Sequence, residues 1–191
     1  MKTLPRCIGE GVVGYDFLRH YVLTIDHAQN KLTFALPEER KADDQMQYVS
    51  MPLKIPRVDR PLVLVDVVVD TQATYQFVLD TGASQTVVSP ALAEREGVMS
   101  NEGGPLIGAA GAVTGSSGML RSLRIGDTSI QNVRVMISDA FSPVTEAVGT
   151  TIDGILGYNV LRRFRIILNY PNGKIQFGRP QTDMSADGKA G

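Results

Sequence analysis

Apolar residues along this chain fall mostly in short runs bounded by proline, glycine or aspartate, a strand-like rather than a helical pattern. Residues 47–55 and 62–70 are rich in valine, leucine and isoleucine and are framed by Pro52, Pro56 and Pro61. Residues 75–79 make a third run, which ends at Asp80-Thr81-Gly82. Residues 119–125 and 130–137 predict two further strands joined at Gly126-Asp127, and 165–177 a hairpin turning at Pro171-Asn172-Gly173. The clearest helix spans 89–97, with Ser89 as N-cap, Pro90 in the first turn and Gly97 as the stop. A second short helix is suggested over 158–164, and the glycine-rich stretch 101–118 excludes a regular helix there. Many short strands, two short helices and glycine-rich loops describe an all-β chain that closes into a small barrel.

The chain also repeats itself. Gly11-Val12-Val13-Gly14-Tyr15-Asp16-Phe17-Leu18-Arg19 returns near the end as Gly154-Ile155-Leu156-Gly157-Tyr158-Asn159-Val160-Leu161-Arg162, so that position 11 corresponds to position 154. At the same offset Lys31-Leu32-Thr33-Phe34 returns as Lys174-Ile175-Gln176-Phe177. Over 24 ungapped positions seven residues are identical, and several of the others exchange apolar for apolar. The echo pairs the segment that ends at Phe34 with the end of the chain and leaves the middle without a copy. Residues 1–36 therefore read as the C-terminal remnant of a first repeat, 37–45 as a charged linker, 46–178 as a complete second repeat, and 179–191 as a polar, disordered tail.

Composition narrows the chemistry. With 191 residues and 43% hydrophobic content, one core of useful size is expected. Nineteen basic residues against twenty acidic ones give a net charge of −1, which offers no electrostatic footprint for nucleic acid or an acidic membrane. Mean hydropathy is −0.02, and no stretch approaches the roughly 20 apolar residues of a membrane span. A single cysteine, Cys7, excludes an internal disulfide and a cysteine-built zinc site. The two histidines, His20 and His27, lie far from the other candidates and are expected on the surface or in a hairpin, which leaves little for a Ser-His-Asp or Cys-His enzyme. No metal or cofactor is expected, and catalysis falls to carboxylates.

The sharpest local feature is Phe77-Val78-Leu79-Asp80-Thr81-Gly82-Ala83-Ser84. A carboxylate ending an apolar strand is placed where burial and neighbouring donors act on it. Thr81 adds a hydroxyl, and Gly82 lets another backbone come close. The same residues also suit an ordinary strand-ending turn. Further along come the glycine-rich Gly108-Ala109-Ala110-Gly111 and, near the end, Asp153-Gly154-Ile155-Leu156-Gly157. Together these segments resemble the retropepsin-like aspartic proteases, in particular the bacterial relatives of the retroviral enzymes, over roughly residues 49–177. The resemblance implies a retropepsin-like, acid-protease closed β-barrel with one or two short helices. It gives Asp80 the catalytic role, with Thr81, Gly82, Ala83 and Ser84 completing the active-site motif. It makes Ile155-Leu156-Gly157 the second motif, threading beside the aspartate loop, and puts Gly108 to Gly111 at the flap over a bound peptide. On residue chemistry alone that glycine-rich segment is equally a surface loop. Tyr15 and Tyr158 read as packing residues, and Asp153 receives no role.

Such a site needs two carboxylates, one taking a proton from water and the other donating to the scissile carbonyl. This sequence contains one Asp-Thr-Gly, and its counterpart in the first repeat, as far ahead of Asp80 as Gly11 is of Gly154, would fall before Met1. The second aspartate is expected from a homodimer, or from an upstream repeat. The function expected is aspartic endopeptidase on protein or peptide substrates; the alternative is a non-catalytic domain of the same fold that binds extended peptides. The N-terminus shows no secretory signal, and a periplasmic site is open if an upstream part carried one. The N-terminal half-repeat either blocks the dimer surface or adds a hairpin to the barrel.

Overall fold

The computed structural model describes residues 13–39, 46–70, 72–101, 105–108, 111–139 and 141–180. Cys7, residues 40–45 of the expected linker, Ala109, Ala110 and residues 181–191 of the expected tail lie outside them. The described chain opens with a helical turn α1 (Tyr15–Leu18) and a hairpin of β1 (Val22–Asp26) and β2 (Lys31–Ala35). Then come β3 (Met46–Pro52), β4 (Leu64–Val69), β5 (Ala73–Leu79), β6 (Thr86–Val88) and α2 (Pro90–Arg95). Next are β7 (Pro105–Gly108), β8 (Gly111–Thr114), β9 (Ser116–Ile125), β10 (Thr128–Ile137) and α3 (Ser142–Val148). The last elements are β11 (Gly154–Leu156), α4 (Tyr158–Leu161), β12 (Arg165–Asn169) and β13 (Lys174–Pro180).

Six strands close a barrel in the order β10-β6-β11-β5-β4-β9, and five more form a sheet ordered β2-β1-β12-β13-β3. β7 and β8 stand apart as a two-stranded hairpin. The barrel core follows from alternation: Val65, Val67 and Val69 on β4 and Tyr75 and Phe77 on β5 are all buried. On β10 the inward phase slips between Ile130 and Val133, both buried, at Asn132, whose φ of 55° is one that asparagine tolerates. The core is capped by α2 and α4, through Leu92, Val160 and Leu161, and by Ile166, Ile175 and Phe177 of the second sheet.

Local chemistry accounts for the helices. Ser89 Oγ accepts from the Leu92 amide at 3.1 Å, an N-cap worth about 1 kcal/mol. At the other end of α2 the buried Tyr75 hydroxyl donates to Glu96, tying the helix to β5. The sequence does not predict α3, because Val148 is its one buried residue and no helical apolar period exists to be read. Its limits come from a proline in the first turn and from Gly149, left-handed at φ 71°. The three-residue strands β6 and β11 also lack a readable pattern; pairing alone makes them strands. The N-terminal hairpin adds to the second sheet, with β1 antiparallel to β12, rather than standing free. Among the described residues no helix is long and apolar enough to cross a membrane.

Candidate active site

The Asp80 loop is built where β5 leaves the barrel. β11 lies parallel to β5, with Gly154 opposite Phe77 and Leu156 opposite Leu79, and antiparallel to β6 on its other side. The Asp80 amide donates to the Leu156 carbonyl at 3.1 Å, so the loop starts from the crossing strand. The Gly82 amide donates to Asp80 Oδ1 at 2.8 Å and the Ala83 amide to the Asp80 carbonyl at 3.3 Å, closing a tight turn. The expected burial of Asp80 is not found. Leu79 is half-buried, while Asp80, Thr81, Gly82 and Ser84 are exposed, with Ala83 between. The apolar frame ends with the strand, and the carboxylate points past the last covered layer.

A second layer of bonds fixes the loop from below. The Tyr158 amide donates to the Ala83 carbonyl at 2.7 Å, and the Asn159 amide to the Ser84 carbonyl at 3.3 Å. Asn159 Oδ1 accepts from both the amide and the hydroxyl of Thr86, at 2.8 and 2.9 Å. The same Thr86 hydroxyl oxygen accepts from the Gly157 amide at 3.1 Å, and Asn159 Nδ2 donates to the Arg134 carbonyl. A Cβ on Gly157 would collide with the backbone of Gln85 and Thr86. The Ile155-Leu156-Gly157 segment is therefore brought against the Asp80 loop, and glycine is required by the closeness of two backbones.

Three residues of this arrangement escape a reading of the sequence. Asn159 had a signal, since a polar acceptor recurs at the matching position of the repeat as Asp16. Thr86 had none, being one hydroxyl in a run of small polar residues. Asp153, given no role, is a brace: its Oδ2 accepts from the Gln76 amide at 2.9 Å and its carbonyl from the Ser89 amide at 2.8 Å. Tyr15 and Tyr158 pack edge-on against Tyr170 and His27, as packing residues do. The glycine-rich segment forms the β7–β8 hairpin, whose last pair is Gly108 opposite Gly111; Ala109 and Ala110 between them lie outside the described residues. No group of three or more metal-ligating side chains occurs among the described residues. What the loop presents is a single rigidly mounted carboxylate, able to accept hydrogen bonds when ionised and to donate one when protonated.

The aspartyl protease family model matches residues 65–160, from β4 through α4. No curated protein matches the sequence. Among solved structures, a retropepsin-like aspartic protease from Rickettsia conorii is 15% identical, with a TM-score of 0.49, over 70% of this chain and 93% of that one. The EIAV protease is 21% identical, with a TM-score of 0.41, over 52% of this chain and 84% of that one.

Proposed function

We propose, from the premise that this chain belongs to the aspartyl protease family, that it is an aspartic endopeptidase in which Asp80 is one half of a catalytic pair. The observation that carries this reading is the Asp80 loop itself: an accessible carboxylate on a turn anchored to Leu156, Tyr158 and Asn159. A group that must hold a water and a scissile carbonyl within a fraction of an ångström needs that mounting. Thr81, Gly82, Ala83 and Ser84 shape the turn, and the β7–β8 hairpin around Gly108 and Gly111 is the element that would lie over a bound peptide.

The second carboxylate comes from outside this sequence, either from a second copy of the chain or from another repeat. Two carboxylates about 3 Å apart share one proton. The ionised member takes a proton from water, the water oxygen bonds to the scissile carbonyl carbon, and the protonated member donates to the carbonyl oxygen. Collapse of the tetrahedral adduct then breaks the C–N bond as the amine takes a proton.

The test is digestion of a diverse peptide mixture read by mass spectrometry between about pH 3 and 7, a range that overlaps the acidic window in which carboxylate pairs of this kind hold one shared proton. Asp80→Asn runs beside it, over a wide range of protein concentration. Cleavage that vanishes in the variant supports the reading, and cleavage that rises faster than linearly with protein identifies a second copy as the source of the other aspartate. No cleavage, with retained binding of extended peptides, would replace it by a peptide-binding domain of the same fold.

A further inference from the structure

The first helix and hairpin reproduce the last ones in detail. α1 stands to α4 as Tyr15 to Tyr158, and β1 to β12 as Val22 to Arg165, all at the offset of the repeat. Leu18 N bonds the Gly14 carbonyl and Arg19 N that of Tyr15, as Leu161 N bonds Gly157 and Arg162 N bonds Tyr158. In the hairpin turns the Gln29 amide donates to Asp26 Oδ1 at 3.0 Å and the Asn172 amide to Asn169 Oδ1 at 3.1 Å. Asn30 and Gly173, at φ 51° and 59°, close the two turns alike.

The pairing of β1 with β12 relates the two copies. Thr24 lies opposite Ile167, its own equivalent, while Val22 faces Asn169 and Asp26 faces Arg165. That register places a local two-fold axis through the Thr24–Ile167 pair. Side chains obey it: Tyr15 meets Tyr170 at 5.7 Å between ring centres, and Tyr158 meets His27, the exchanged pair of positions, at 5.3 Å.

Burial breaks the symmetry. Val13, Phe17, Leu32 and Phe34 are between 41% and 57% exposed, whereas their equivalents Leu156, Val160, Ile175 and Phe177 are at most 2% exposed inside the barrel core. The Leu156 carbonyl and the Tyr158 amide hold the Asp80 loop, while the Val13 carbonyl and the Tyr15 amide bond no described residue.

We propose that the face of Val13, Phe17, Leu32 and Phe34 is the closing element of a second six-stranded barrel. The occupant is a barrel equivalent to residues 46–155, whose counterpart at the repeat offset would end at residue 12, directly ahead of Val13, and would begin before Met1. A second copy of this chain does not suit the face, because its barrel is already filled by its own Leu156, Val160, Ile175 and Phe177. The two-fold axis makes the aspartate loop of the first barrel the mate of the Asp80 loop, held by Val13 and Tyr15. It is then the source of the second carboxylate, and on this one consequence the inference rests on the proposed function.

The experiment has two arms. In the first, the whole chain and its Phe17→Asp/Phe34→Asp variant are compared by analytical ultracentrifugation, melting and binding of a hydrophobic dye. A monomer that binds dye, with the variant still folded, melting within a few degrees of the parent and losing most of the dye signal, is the expected result. A dimer that the variant abolishes would overturn the proposal in favour of a second copy, and a variant that no longer folds would show the face already covered within one chain. In the second arm, residues 46–155 are grafted in place of residues 1–12, restoring the repeat register. The graft is expected to be a monomer with dye binding reduced to the level of the double variant, and Phe17→Asp/Phe34→Asp in the graft should expose the added barrel to protease. A graft that leaves the face open to dye, whether or not the added segment folds, overturns the proposal. None of these readings uses catalysis, so a well-packed graft without peptidase activity would remove the proposed function and leave the docking face standing.

Discussion

At the scale of single residues the candidate site depends on one place where space is missing. Gly157 sits where any Cβ meets the backbone of Gln85 and Thr86, and backbone cannot swing aside as a flexible side chain does. Gly157→Ala is expected to destabilise the fold by about 1–3 kcal/mol or more through overpacking, and to lower any peptidase activity further by shifting the Asp80 loop. Denaturant unfolding beside a peptide assay reads both. Asp80→Asn should leave the same unfolding curve within about 0.5 kcal/mol, because the side chain is exposed and an amide oxygen can still accept from Gly82. Tyr75 carries a pH signature. Burial first, and then its hydrogen bond to Glu96, hold its phenol above the ordinary value. The unfolded chain releases that proton near pH 10 and the native chain later. The stabilising contribution is therefore complete below about pH 10 and is lost as pH rises through the native value. Tyr75→Phe should melt lower at neutral pH by about 1–3 kcal/mol, since buried Glu96 loses a donor. It should also show a smaller alkaline loss, which unfolding at neutral and strongly alkaline pH compares directly.

At the scale of elements the two copies of the helix and hairpin form an internal control, in which like sequence meets unlike surroundings. Phe177→Ala empties a core position and should cost about 3–5 kcal/mol. Phe34→Ala, at the matching position, loses only edge contacts with Phe17 and Tyr21 and should cost about 1 kcal/mol or less. Thermal denaturation of the two variants side by side tests this. The longer strands and α2 were legible because turn chemistry and alternation are local signals: Pro56 and Pro61 precede β4, and Ser89 and Pro90 open α2. β6, β11 and α3 were not, since a three-residue strand has no period and α3 buries too little to have one.

For the molecule as a whole, the N-terminal hairpin is part of the folded unit. Asp26, 7% exposed, takes Arg165 Nε at 2.7 Å and Nη2 at 2.6 Å, joining β1 to β12 through a largely buried ion pair. Removing one partner of such a pair leaves the other charge inadequately compensated. Asp26→Ala is expected to cost up to about 3 kcal/mol, and to speed hydrogen exchange in β1 and β2 more than in the barrel strands β4 and β5. Equal acceleration everywhere would mean that the hairpin and the barrel unfold as one cooperative unit.

By itself the sequence determined what depends on neighbours along the chain. That includes the all-β character, the turn at Asp80-Thr81-Gly82, the motif Ile155-Leu156-Gly157, and the constant offset from Gly11 to Gly154 that marks a repeated element. Family membership was legible for the same reason, because its two motifs are short and contiguous. Only the tertiary structure decided what depends on distant partners. Thr86 and Asn159 lie far apart in the chain and meet because β11 threads between β5 and β6. Asp80 is exposed because β5 leaves the barrel at that residue. The apolar face of the first hairpin is open while its twin is buried, although both carry apolar residues at the matching positions. Side-chain period and turn preference are properties of a segment, whereas burial is a property of whatever packs against it.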